Sequence, residues 1–128
     1  MRAPATFAAS LVLGASLAAA AGAQDAAPTA PAAIAECPFY ASPLAEGTVL
    51  TCNCPANAVR SGAVWGNGPY TADSAICRAA LHAGATRREG GQVTLRVLPG
   101  RERYQRGERN GVSTGSWPAF PKSFDFDR

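Results

Sequence analysis

The sequence is poor both in residues that build large cores and in residues that do chemistry. Aromatics make up 8% of the 128 residues, charged residues make up 16%, and there is one histidine. A net charge of +3 is too small to mark a nucleic-acid binder, so no nucleic-acid partner is expected. The length admits one domain, with or without a tail, and leaves no room for a two-domain enzyme. Glycine (13) and proline (10) are plentiful, a balance that favours a small, loop-rich fold over a helical bundle. A mean hydropathy of −0.05 with modest charge argues against a fully disordered chain.

A long, strongly apolar run is also missing. Behind the basic Arg2, the stretch from Ala5 to Ala21 is almost all small or aliphatic, but Ser10, Gly14 and Ser16 interrupt it. A membrane span needs roughly 20 strongly apolar residues. The run therefore reads as a secretory signal peptide, residues 1–23, cut after the small-x-small Ala21-Gly22-Ala23, and no transmembrane anchor is expected. No cysteine sits near that point to carry a lipid. Removing 23 of 128 residues leaves 105, beginning at Gln24, with 11 basic and 9 acidic residues and a net charge of +2. Residues 24–35 (QDAAPTAPAAIA) have little to bury and read as a flexible spacer, which leaves 36–128 as the folded module of a secreted or periplasmic protein.

Export changes the meaning of the four cysteines. In an oxidising compartment, Cys37, Cys52, Cys54 and Cys77 form disulfides. A Cys52–Cys54 bridge would close a very small, strained ring. Two pairings remain: 37–52 with 54–77, or 37–54 with 52–77. A metal site drawn from Cys52, Cys54, Cys77 and His82 has the wrong spacing for C-x2-C pairs, so neither a metal nor a cofactor is expected.

Local patterns give an α+β module. Gly47–Thr51 is a β-like run leading into C-x-C, and Ala63–Trp65 reads as a short strand ending in the turn Gly66-Asn67-Gly68-Pro69. The clearest helix runs from Asp73 to about His82. Thr71 or Asp73 is placed to cap its start, Gly84 to close its end, and Ala-rich stripes predict close packing at the centre of the fold. Gly90-Gly91 breaks the chain before the alternating strand Gln92–Val97, which Pro99-Gly100 ends. Asn110-Gly111 signals a hairpin with a return strand over Val112–Trp117, and part of the aromatic tail should pack on the domain. The expected architecture is one central helix held against short strands in two small sheets, loop-rich and stapled by two disulfides.

Several of these pieces fall together. Trp65-Gly66, Tyr70, the run Asp73-Ser74-Ala75-Ile76-Cys77-Arg78-Ala79-Ala80-Leu81-His82-Ala83-Gly84, Gly90-Gly91-x-Val93, Leu98-Pro99-Gly100-Arg101-x-x-Tyr104, Asn110-Gly111-Val112 and Trp117 with Ser123-Phe124 resemble the LCCL domain, in order and at compatible spacing. The likeness covers roughly Cys37 to Phe126, and S-x-I-C-x-A-A-x-H-x-G is its specific core. It implies an extracellular module with a central helix wrapped by β-structure, and two disulfides paired in sequence order, Cys37–Cys52 and Cys54–Cys77. In multidomain relatives the module is a recognition or structural part, with suggested roles in lipopolysaccharide binding and host defence and no established catalytic residues. One departure stands out: relatives carry a C-P-x-x-C stretch, whereas here Cys54-Pro55-Ala56-Asn57 leads to Ala58 and the additional cysteine lies upstream, at Cys52.

Function is sought in charge rather than in catalytic groups. His82, as the only histidine, must serve any Ser-His-Asp or Cys-His mechanism, yet its place at the helix end suits a cation that gains from the helix dipole. Asp73, His82, Gly84, Gly91, Asn110, Gly111 and Trp117 are read as structural. From Arg78 to Arg109 there are eight arginines against three glutamates, a local net of +5. Arginine forks match phosphate and carboxylate geometry. The candidate ligand-binding residues are therefore Arg96, Arg101, Arg103, Tyr104, Arg106 and Arg109, with Tyr104 and Trp117 as stacking surfaces for sugars or lipid heads. The expected partner is an anionic envelope glycan or lipid. A structural envelope protein with a protein partner is the second class, and a small hydrolase the third.

Overall fold

The computed structural model describes residues 33–127 together with Ser10 and Gly14. Those two apart, the expected signal peptide and residues 24–32 of the spacer lie outside the described residues. The period-two alternation around residue 95 organises the sheet: Val93, Leu95 and Val97 are buried while Gln92 and Arg96 face solvent. The strand that carries them, β3 (Gly90–Arg101), is the longest. It lies inside a four-stranded antiparallel sheet ordered β1-β3-β6-β2, whose other members are β1 (Val49–Pro55), β6 (Phe120–Phe126) and β2 (Tyr70–Thr71). On β6, Phe126 and Phe124 stand opposite Leu95 and Val97, forming aromatic–aliphatic pairs on the buried face. Pro99-Gly100 does not end β3 as expected. Gly100 lets β6 come so close that a Cβ there would collide with the Phe120 carbonyl, and pairing continues to Arg101. Gly90 and Gly91 likewise open the strand rather than break the chain.

The C-x-C spacing acquires a meaning from β1. Residues two apart in a strand share a face, so Cys52 and Cys54 both turn inward and are buried. Cys52 bonds Cys37, on an N-terminal strap that bridges Asn53, while Cys54 bonds Cys77 on the main helix (Cα–Cα 4.8 and 5.5 Å). The sequence-order pairing implied by the resemblance is the one found.

That helix, α2 (Ile76–Ala83), follows the one-turn α1 (Ala56–Val59) and packs on it. Only Arg78 among its eight residues is not buried. It starts three residues later than expected, and neither Thr71 nor Asp73 caps it. Thr71 Oγ1 lies 2.8 Å from Ser74 Oγ, and Asp73 Oδ1 is buried without a hydrogen-bond partner. Backbone carbonyls do the work instead: Ala63 accepts from the Ala75 N–H and Phe39 from the Ile76 N–H. The C-terminus ends as expected. Gly84 is left-handed (φ 78°), with Gly84 N–H donating to Leu81 and Ala85 N–H to Ala80, a Schellman closure.

The second sheet is the hairpin β4 (Glu108–Arg109) and β5 (Val112–Ser113), turned by Asn110 and Gly111 with φ of 52° and 76°, as a type I′ turn requires. The expected return strand to Trp117 shrinks to these two residues because Thr114 and Gly115 donate to Gly107 and Val64. Trp117 instead exchanges both backbone bonds with Tyr104, and Ala63–Trp65 forms no strand, its β-pairing being a single bridge from Trp65 to Gly115. The result is a mixed α+β domain with two small sheets.

Because Cys54–Cys77 closes a separation of 23 residues and ties sheet to helix, replacing both cysteines by alanine should cost about 2–4 kcal/mol. Chemical denaturation of the double variant checks this, with unchanged stability as the contrary result.

Candidate functional site

The last turn of α2 places His82 in the interior with no exposed surface. Its Nε2 lies 3.3 Å from the Gly107 carbonyl and its Nδ1 lies 2.8 Å from the Tyr70 hydroxyl. A carbonyl only accepts, so Nε2 carries the proton and Nδ1 accepts from Tyr70, whose oxygen in turn accepts from Arg109 Nη2 at 3.2 Å. Burial holds the imidazole pKa below its usual value. The Gly107 bond opposes this shift, and the positive Arg109 adds to it. His82 is thus neutral near neutral pH, not the dipole-stabilised cation expected from its position. Its backbone is used as well, because Asn110 Nδ2 donates to the His82 carbonyl at 2.9 Å.

Gly107 carries this constraint into the arginine-rich loop. Its carbonyl accepts from His82 Nε2, Thr114 N–H and Thr114 Oγ1, and its N–H donates to Thr114 Oγ1. Tyr104 is the loop's other anchor, with a ring only 2% exposed and a hydroxyl that accepts from Arg101 N–H and donates to Phe120 O. Tyr104 is therefore no stacking surface. Trp117 is 40% exposed and packs edge-on against Trp65, with ring centroids 5.5 Å apart.

The five candidate arginines separate into two groups. Arg101, Arg103 and Arg106 are exposed, and among the described residues no carboxylate pairs with them. Arg103, Arg106 and Trp117 line one open cleft of about 470 Å³; Arg101 and Arg103 line another of about 280 Å³ beside Asn67. Arg96 is not brought to them. It stands on the outer face of the sheet, clamped to Asp127 by two hydrogen bonds (2.7 and 3.1 Å) that hold the Asp127 carboxyl below its usual range. Arg109 is half-buried against Tyr70, and its Nε has no hydrogen-bond partner. The sequence reading missed Asn67 and Gln105, which line these clefts. The Asn-Gly dipeptide marked Asn67 only as a turn.

The sulfurs of Cys37, Cys54 and Cys77 lie within 4.8 Å of one another, but each is in a disulfide and none offers a thiolate to a metal. No described helix is long and apolar enough to cross a membrane.

The lowered His82 pKa makes a signed prediction. Unfolded, the imidazole takes up a proton near pH 6.5, whereas the folded one resists until a lower pH. The stability contribution is complete above about pH 6.5 and is lost as the pH falls from there through the folded value. Thermal midpoints should therefore begin to drop as the pH falls below about 6.5. The slope should flatten in His82→Gln; an equal slope in both proteins would contradict the assignment.

The sequence model of the LCCL domain matches residues 34–124. Vitrin from Mus musculus is 36% identical over 61 residues, which are 48% of this chain and 9% of vitrin. Cochlin from Cavia porcellus is 38% identical over 72 residues, 56% of this chain and 13% of cochlin. Clotting factor C from Tachypleus tridentatus is 32% identical over 82 residues, 63% of this chain and 8% of that protein. The matched stretches span about a tenth of the length of these curated relatives. With the family's helix motif folded around Cys77 and His82 and the match running through nearly the whole described module, the chain belongs to the LCCL domain family.

Proposed function

We propose that this chain is a non-catalytic, extracytoplasmic LCCL module whose Arg101–Arg106 loop binds anionic envelope glycans or lipids of the lipopolysaccharide kind. The observation that carries the reading is the trio Arg101, Arg103 and Arg106, exposed, free of carboxylate partners among the described residues, and set beside an exposed tryptophan in open clefts. Guanidinium forks suit phosphate, and an indole suits a sugar face. Against catalysis, the sole histidine is sealed with both ring nitrogens bonded, and all four cysteines are in disulfides. Two disulfides fit an oxidising compartment, in line with a signal peptide over 1–23, a spacer over 24–35, and a mature module that acts after secretion or in a periplasm.

A second reading, a structural envelope protein with a protein partner, is favoured by one feature. Phe39 and Tyr40 are each 47% exposed and stack edge-on with centroids 4.6 Å apart, away from the arginine clefts. Salt distinguishes the two, since phosphate contacts are screened and an apolar interface persists.

Retention of the oxidised protein on immobilised lipopolysaccharide should fall with added salt. The Arg101→Ala/Arg103→Ala/Arg106→Ala variant should bind about tenfold or more weakly, from the loss of charge-assisted hydrogen bonds. Salt-resistant, undiminished retention of the variant would remove the assignment.

A further inference from the structure

Two clefts flank one short segment, Arg103-Tyr104-Gln105: the larger, about 470 Å³, runs beside Ser116–Pro118, and the smaller, about 280 Å³, beside Asn67–Pro69. Tyr104 is turned inward, and its N–H and C=O are both paired with Trp117. On either side of this isolated bridge Arg103 and Gln105 are exposed, making a ridge that carries a guanidinium and a carboxamide. Arg106 and Trp117 belong to one flank, Arg101 and Asn67 to the other. The Asn67 carboxamide lies against Gly107, in the space a Cβ there would fill, and the Gly107 carbonyl is held by His82 and Thr114. Each flank therefore has a cationic fork and a neutral hydrogen-bonding or stacking partner.

Neither of the two clefts is lined by a cluster of large exposed apolar side chains. Ile34, Phe39, Tyr40 and Val49, the other large apolar side chains that are exposed, line neither of them. Trp117 is the one large apolar surface, and a single indole at an open mouth seats a sugar ring rather than a hydrocarbon tail. We propose that the ligand of this loop is a phosphorylated oligosaccharide backbone that straddles the Arg103–Gln105 ridge, with one acidic group in each cleft and any acyl chains left outside. This inference rests on the reading of the Arg101–Arg106 loop as the binding surface.

The test compares two probes by competition and calorimetry on the oxidised protein: intact lipopolysaccharide, and its fully deacylated, still phosphorylated core oligosaccharide. The deacylated saccharide should compete within a few-fold of the intact molecule. Asn67→Asp, which keeps the side-chain shape and puts a like charge in the smaller cleft, should weaken the saccharide about fivefold, with an unchanged thermal midpoint. Binding of intact lipopolysaccharide without the saccharide would overturn this inference and leave the loop assignment standing. Saccharide binding that is lost in Arg103→Ala but untouched by Asn67→Asp would also overturn it, because only one cleft would then be used. Failure of both probes would overturn the inference and the loop assignment together.

Discussion

The imidazole of His82 has no exposed surface and uses both ring nitrogens inside the fold, which ties together three parts of the chain that are distant in sequence. Tyr70 arrives from β2, Gly107 from the arginine-rich loop, and Arg109 reaches the same cluster through the Tyr70 hydroxyl. Burial and the neighbouring guanidinium both favour a neutral ring, because a second proton would add a charge beside Arg109 in a site with no exposed surface. The loop is therefore anchored at Gly107 by the same residue that ends the buried helix.

The opposite end of α2 is fixed differently. There Cys54–Cys77 and the carbonyls of Ala63 and Phe39 hold the first turn, so the helix is clamped by a covalent bond at one end and by a polar cluster at the other. Between the clamps, Ala79, Ala80 and Ala83 permit close approach of the neighbouring strands. Large apolar side chains are few, and this double clamping compensates for their scarcity. Arg101, Arg103 and Arg106 lie on a loop whose backbone is held at its start by the pairing of Arg101 with Phe120, in its middle by Tyr104 and at its end by Gly107, while the three side chains are exposed. A backbone held in this way has little conformational entropy left to lose.

What was legible in the sequence was local. The alternation around Leu95, the Gly84 helix end and the Asn110-Gly111 turn each depend on a few adjacent residues, and each appears where the pattern put it. The disulfide pairing followed from family likeness, because spacing alone left two solutions. The losses were all long-range. Nothing near Arg96 signals Asp127, 31 residues away, and nothing near Tyr104 shows that Phe120 would take its hydroxyl. Arg109 is five residues from Tyr104 in a charged run, yet the hairpin folds it inward on to Tyr70. The helix start failed for a related reason: Thr71 and Asp73 are good caps by type, but carbonyls from Phe39 and Ala63 reached the helix first.

The hold on the arginine loop depends on the protonation state of one ring, and nitrogen-detected NMR of the His82 imidazole reads that state directly. Burial and the Gly107 carbonyl favour a neutral ring near neutral pH, protonated on Nε2, with Nδ1 accepting and a titration displaced to lower pH than a free histidine. An imidazolium under those conditions, or a proton on Nδ1, would contradict the hydrogen-bond chain from Arg109 through Tyr70 to Gly107, and with it the account of how the arginine loop is held.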